Sequence, residues 1–376
     1  MTRVLFVSKP IAPPWNDGSK NLVRDVAANL KQARATVMTT PSALFSPRVN
    51  MARIYNSSGA FSPTLSANAA AFFHLVADNS HDIWHFVFAP NARSSFVARV
   101  AIKLRRACGW RGHVVQTIAS VPSNFRDVNR LLFGDAIVAL SESTRSKLIA
   151  AGIASERVCV IPPCAEAALP TSERESTAIR EKYALGNGPI VLYPGDYEVS
   201  RGAQTVADAA RKIVDAIPNA KIVFACRMKT KRAAIARDEI AQRVAQHGIA
   251  NCVVQLGDID DMHALIRIAS IVLFPVDNLY GKVDLPLVLL EAMSAKVPIV
   301  VAKGGPLEEL SCARTVSPGD AASLASIATE ILRDKKLADH IGLACHALYE
   351  QRFSPGIVAA QYDALYSSVN LCRSTS

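Results

Sequence analysis

The chain has 376 residues, roughly two to three times a typical single domain, so two comparable cores are expected rather than one. Half of the residues are hydrophobic, 20% are charged, and 18 Gly and 20 Pro are ordinary usage, which excludes a disordered, collagen-like or low-complexity chain. The formal charge of +10 is unevenly placed: residues 1–187 carry 22 Lys/Arg against 12 Asp/Glu, and residues 188–376 carry 20 against 20.

A basic first half suits phosphate groups, anionic lipid head groups or nucleic acid, or is a solvated surface that keeps the chain in solution. The eight cysteines form no C-x-x-C pair and no cluster with zinc-ligand spacing, and read as small buried residues of a reducing compartment. The opening residues lack signal-peptide chemistry, and no apolar run approaches the ~20 residues of a spanning helix. The expected location is cytoplasmic, with the inner membrane face as a peripheral option.

Along the chain, short runs rich in Val and Ile alternate with longer stretches of helical period, the pattern of buried parallel strands joined by crossover helices. In the first half the pattern predicts strands at Val4–Ser8, Thr36–Thr39, Ile83–Phe86, His113–Thr117, Ala136–Ala139 and Cys159–Ile161. Helices are predicted at Lys20–Gln32, Ala67–Ala77, Ser94–Arg106 and Ser143–Ala151. The second half predicts strands at Ile190–Tyr193, Lys221–Ala225, Val253–Leu256, Ile271–Phe274 and Ile299–Ala302, with helices at Ala203–Ala216, Lys231–Gln246, Met262–Ala269, Val288–Ala295 and Ala321–Arg333. The expected division is a first domain over 1–170, a linker over 171–189, a second domain over 190–350 and a C-terminal helix over 351–376 that crosses back to the first domain. The expected class is α/β, two facing Rossmann-like doubly wound domains with a cleft between them as the default site.

Three segments could carry chemistry. After the first strand, Lys9 to Lys20 contains Gly18 at a helix start, which either admits an anion to free N–H groups or is a strand-to-helix loop with an Asp or Ser cap. No G-x-G-x-x-G is present there, which disfavours a dinucleotide dehydrogenase. After Ile190–Tyr193 comes Pro194 to Gly202, with Gly195, Asp196 and Arg201. Arg201 at a helix start either pairs with a diphosphate or is an exposed surface arginine. The third segment runs from Phe274 to Ala302. There Asp284 suits an N-cap, Pro286 suits the first turn, and Glu291 lies seven residues after Asp284, which predicts both carboxylates on one helical face. Glu291 stands among Leu289, Leu290, Ala292 and Met293 and needs a hydrogen-bonding partner, either paired ribose hydroxyls or groups of the protein.

These segments, in this order, resemble the retaining glycosyltransferases of family 4, which have the GT-B fold. In the first domain the resemblance rests on Val4–Ser8 with the Gly18 loop, Asp82-Ile-Trp-His85, Asp135 to Ser141, and Val160-Ile-Pro-Pro163. In the second it rests on Tyr193-Pro-Gly195, Leu256-Gly257-Asp258, Ala269 to Pro275, Leu287 to Met293, and Gly304-Gly305 before Glu308 and Glu309. The segment from Phe353 to Tyr366 resembles the family's returning C-terminal helix.

The resemblance implies retaining transfer of a sugar from a UDP- or GDP-linked donor, bound mainly by the second domain, to an acceptor hydroxyl bound mainly by the first. Glu291 would hold the ribose hydroxyls, Arg201 would contact the diphosphate, and Gly18 would let its loop approach the donor phosphates. Gly195, Lys282, Asp284 and Leu287 complete the expected donor site, with Arg201 and His85 as candidate catalytic residues. Four positions depart from the family pattern: Val283 stands eight residues before Glu291 in place of a glutamate, Pro286 replaces a glycine, Asp196 replaces an arginine, and Ala119-Ser120 occupies the place of a histidine.

No metal and no cofactor beyond the donor is expected, and no carboxylate constellation calls for one. The expected acceptor is a sugar, a lipid-linked molecule or a small molecule, with peripheral membrane contact through the basic first domain. Nucleic acid is excluded by the 6% aromatic content and the absence of an interleaved basic-aromatic motif. The alternatives are a catalytically silent binder of nucleotide-sugar or of a partner protein, or a nucleotide-sugar epimerase on the same fold.

Overall fold

The computed structural model describes residues 1–371 apart from 16, 58–63, 123, 229, 258 and 261. The chain forms two compact units: residues 1–165, 280–287 and 352–376 make the first, and residues 166–279 and 288–351 the second.

In the first unit, strands β1 (Thr2–Val7), β2 (Ala33–Thr39), β3 (Asn50–Arg53), β4 (Ile83–Phe88), β5 (His113–Ile118), β6 (Ala136–Ala139) and β7 (Val158–Val160) form one parallel sheet in the order β3-β2-β1-β4-β5-β6-β7. Successive residues of β1 serve opposite faces. Val4 and Phe6 pack with Leu22, Val26, Tyr362 and Tyr366, whereas Leu5 and Val7 pack with Leu75, Ala98 and Ile102. Both faces are therefore covered by helices, which is why the strand sequences read as unbroken apolar runs. The helix Pro355–Leu371 packs on the helix Gly18–Asn29, and its buried Asp363 accepts hydrogen bonds from the N–H groups of Lys31, Gln32 and Ala33 at 2.8, 3.1 and 2.8 Å.

In the second unit, β8 (Ile190–Tyr193), β9 (Lys221–Ala225), β10 (Val253–Leu256), β11 (Ile271–Phe274), β12 (Ile299–Ala302) and β13 (Arg314–Val316) form a second parallel sheet in the order β10-β9-β8-β11-β12-β13. Strands β8, β11 and β12 are wholly buried. The chain runs outward from β8 through β9 and β10, then returns to place β11 against the other side of β8. The strand order thus reverses between β8 and β11, and in open sheets of this kind ligands settle outside the carboxyl ends of strands at such a reversal.

The edge strands β3 and β13, the short helix Val128–Leu131 and the helix Lys335–Arg352 are additional to the predicted elements, and the helix Glu173–Lys182 lies within the expected linker. The helix predicted at Val288–Ala295 spans Leu287–Ser294. Among the described residues, no helix is long and apolar enough to cross a membrane.

Candidate functional site

The loop after β8 is built around Tyr193, whose ring is fully buried. Its phenol donates to the Asp196 carbonyl at 2.9 Å, and a Cβ on Gly195 would stand 2.2 Å from the ring Cζ. Gly195 is therefore required by the close approach of Tyr193. Asp196 closes the loop: its Oδ1 accepts from the N–H groups of Glu198, Val199 and Ser200 at 3.1, 2.6 and 3.3 Å, an Asx-type turn.

This turn delivers Arg201 to the start of the helix Gly202–Ala216. Asp277, on the loop after β11, takes the Arg201 backbone N–H on Oδ1 and the guanidinium Nε on Oδ2, each at 3.2 Å. The side chain of Arg201 is nevertheless 66% exposed, against 22% for Asp277. Nε is engaged by the carboxylate, and the Nη end of the guanidinium runs alongside Gly319. The pair thus occupies the carboxyl ends of β8 and β11, at the reversal of strand order. A pocket of about 620 Å³ opens beside it, lined by Ser200, Arg201, Gln204, Arg232, Asp277 and Asn278 among others. Asp277 was not marked by the sequence, because its 76-residue separation from Arg201 is closed only by the pairing of β8 with β11.

Glu291 lies mid-way along the helix Leu287–Ser294, with its side chain 12% exposed and Oε2 3.6 Å from Nδ1 of His263. His263 comes from the helix Met262–Arg267 and is 59% exposed. Leu287 opens the Glu291 helix and is buried. Asp284 does not share that helix. The helix begins at Leu287, directly after Pro286, so Asp284 is neither its N-cap nor two turns before Glu291. Asp284 is fully buried in the first unit instead, where its Oδ2 accepts a short 2.5 Å bond from Ser141 Oγ. Ser141 also caps the helix Glu142–Ala150 by accepting from the Thr144 N–H at 3.0 Å. Lys282 lies on the same first-unit segment, and its carbonyl accepts from the Val121 N–H at 3.0 Å.

In the first unit, the helix start after β1 is capped by a carboxylate of the chain itself. Asp17 accepts from the N–H groups of Ser19 and Lys20 at 3.0 and 3.4 Å and meets Lys9 Nζ at 2.5 Å. Burial raises the Asp17 pKa, but the Lys9 ammonium and these hydrogen bonds outweigh it and hold the value at about 2. Of the two readings of this loop, the capped turn is the one observed. Gly18 lacks a Cβ because one would stand 2.8 Å from Cγ2 of Val283.

His85 lies in the middle of β4, not at its carboxyl end, and is 1% exposed. Nδ1 pairs with the Tyr366 hydroxyl and Nε2 with the Thr117 hydroxyl, both at 2.7 Å. Burial lowers its pKa to about 3. Both ring nitrogens are spent on the core, so the expectation of a catalytic His85 is corrected to a structural one. Asp258, part of the resemblance, lies outside the described residues. Among the described residues, no group of three His, Cys, Asp or Glu side chains could hold a metal ion.

Residues 188–334 match the Glycosyl transferases group 1 family. The matched stretch contains Arg201, Asp277 and Glu291. The N-acetyl-alpha-D-glucosaminyl L-malate synthase of Bacillus anthracis is 26% identical over 209 residues, covering 52% of this chain and 50% of the synthase's own length. Among solved structures, HepE of Anabaena in complex with UDP-glucose aligns over 98% of this chain and 100% of its own, with a TM-score of 0.77 and 19% identity. The sucrose-phosphate synthase of Thermosynechococcus elongatus aligns over 99% and 100%, with a TM-score of 0.74 and 19% identity. The fold is that of the GT-B glycosyltransferases, with two Rossmann-like α/β domains.

Proposed function

We propose that this protein is a glycosyltransferase that moves a sugar from a nucleoside-diphosphate sugar to an acceptor hydroxyl, with retention and without a metal ion. The observation that carries the reading is the Arg201–Asp277 pair, a fixed and exposed cation at the carboxyl-end reversal of a sheet that matches the glycosyl transferases group 1 family. A UDP-linked donor gains support from HepE, solved with UDP-glucose; GDP remains the other candidate.

In this reading the bond from the anomeric carbon to the diphosphate oxygen breaks, and a bond from the acceptor oxygen forms on the same face. The acceptor proton passes to the departing phosphate oxygen, so the protein need supply no separate general base. Negative charge grows on the leaving diphosphate, and a guanidinium fixed beforehand lowers the barrier by about 2–4 kcal/mol. A guanidinium offers this charge in a planar fork that matches phosphate oxygens. With Nε held by Asp277, the Nη groups meet phosphate oxygens in a bidentate pair. Glu291 accepts from the two ribose hydroxyls, and the first unit takes the acceptor, a sugar, a lipid-linked molecule or a small molecule.

The test is calorimetry with UDP, GDP and UDP-glucose, followed by transfer assays with and without EDTA and NMR assignment of the product anomer. Arg201→Ala is expected to lower turnover by about tenfold or more, and to leave the melting temperature unchanged because the side chain is 66% exposed. Unchanged turnover removes Arg201 from the site. Tight nucleotide binding with no transfer across a broad acceptor panel makes the protein a silent binder.

A further inference from the structure

One surface of the first unit has no part in the donor chemistry. The helix Ala92–Ala107 buries Ser95, Ala98, Ala101 and Ile102, and this stripe turns Phe96, Val100 and Leu104, four residues apart, to the opposite side. Phe96 is 69% exposed and Leu104 44%. The same helix carries Arg93, Arg99, Lys103, Arg105 and Arg106 and not one Asp or Glu. Arg99 is occupied by the Leu132 carbonyl at 2.8 Å and Arg106 by Asp135 at 3.1 Å, while Arg93 and Lys103 stand exposed beside the apolar ridge.

The neighbouring helix Leu65–Ala77 repeats the pattern without the charges. It packs through Leu75 and partly buried Ala67, Ala71, Phe72 and Val76. Leu65, Ala69, Phe73 and Ala77 recur every four residues on its exposed side, with Leu65 at 86% and Phe73 at 69%. Two packed helices with large apolar side chains this exposed form a surface that a protein free in water rarely keeps.

Charge selects the occupant. A second copy of the chain meeting this face about a two-fold axis would bring one helix with five basic and no acidic residues onto another, a like-charge approach that opposes association. An anionic bilayer suits both features, apolar side chains at the acyl boundary and cations at the phosphates. The excess of 22 basic over 12 acidic residues in positions 1–187 adds a longer-range attraction of the same sign.

We propose that the helices Leu65–Ala77 and Ala92–Ala107 dock the first unit on an anionic lipid bilayer, with Phe73 and Phe96 entering the acyl boundary and Arg93 and Lys103 meeting the head-group phosphates. The surface is independent of the donor reading, and either can fail without the other. The test is sedimentation of the full chain with sucrose-loaded vesicles of phosphatidylcholine, with and without phosphatidylglycerol, at low and high salt. Binding is expected only with phosphatidylglycerol and should weaken with salt. The double variant Arg93→Glu/Lys103→Glu should lose about tenfold or more in partitioning, and Phe73→Ser/Phe96→Ser should lose a comparable amount. Should the phenylalanine variant melt early, the charge variant decides alone, since both of its positions are exposed. Equal partitioning to both vesicle types, or charge reversal without effect, overturns the proposal. So does a concentration-dependent dimer abolished by Phe73→Ser/Phe96→Ser, which would assign the ridge to a second copy.

Discussion

Arg201 is gripped by one carboxylate at two of its atoms, the backbone N–H and Nε. An arginine fixed this way loses little side-chain entropy on meeting a ligand, because its direction is set by the fold. Glu291 is held less closely, with one of its oxygens 3.6 Å from Nδ1 of His263. Glu291→Gln keeps the shape and removes the charge, so nucleotide affinity measured by calorimetry should fall by about tenfold with the melting temperature retained. A much lower melting point with intact affinity would make Glu291 a structural residue. His85 offers a test of a different kind. Tyr366→Phe removes the hydroxyl that meets Nδ1 and leaves a buried polar atom unsatisfied, a cost of about 1–3 kcal/mol read as a lower urea midpoint. The pH dependence has a definite sign. The folded value of about 3 lies below the ordinary 6.5, so the unfolded chain takes up the proton first. Stability from this residue is full above about pH 6.5 and falls progressively as the pH drops toward 3. Urea midpoints of the parent and a His85→Gln variant, compared across that window, measure the contribution.

At the scale of elements, the loop from Pro194 to Arg201 depends on a ring lying where a side chain would otherwise be. Gly195→Ala sets a methyl 2.2 Å from Tyr193 Cζ, so the ring or the loop must move. The expected cost is about 1–3 kcal/mol, with weaker nucleotide binding because Arg201 is carried on the displaced turn. A variant with parental melting temperature and affinity would show that the loop is not held by the ring. The interior strands of both sheets were legible from runs of Val and Ile, since each is flanked by strands on two sides and helices on two faces. The edge strands Val158–Val160 and Val253–Leu256 were legible in the same way, whereas the edge strands Asn50–Arg53 and Arg314–Val316 were not, because each is short, has two polar residues and buries one residue alone. The helix Lys335–Arg352 escaped notice for a related reason: only Ile341, Gly342, Cys345 and Tyr349 of its 18 residues are buried. In the candidate site, the sequence marked Arg201 and Glu291 as polar groups in need of partners. It gave no sign of Asp277 or His263, which reach them only through tertiary pairing. The Asp284 reading failed because Pro286 directly precedes the helix, which leaves Asp284 outside it and bonded to Ser141.

At the scale of the whole molecule, the first unit is assembled from three separated stretches of chain, 1–165, 280–287 and 352–376. The last of these supplies Tyr362 and Tyr366 to the core and Asp363 to the N–H groups of Lys31, Gln32 and Ala33. Removing residues 354–376 should therefore unfold the first unit rather than trim a tail, and circular dichroism would record its loss at room temperature. A truncated chain with the parental melting curve would contradict that dependence.

The same arrangement imposes an order on synthesis. A ribosome delivers β1 to β7 long before residue 366, and until then the imidazole of β4 has no phenol to meet and the turn after the first helix has no carboxylate to close it. The half of the molecule made first is thus the half completed last, and during translation it must wait, incompletely packed, while the other sheet is made.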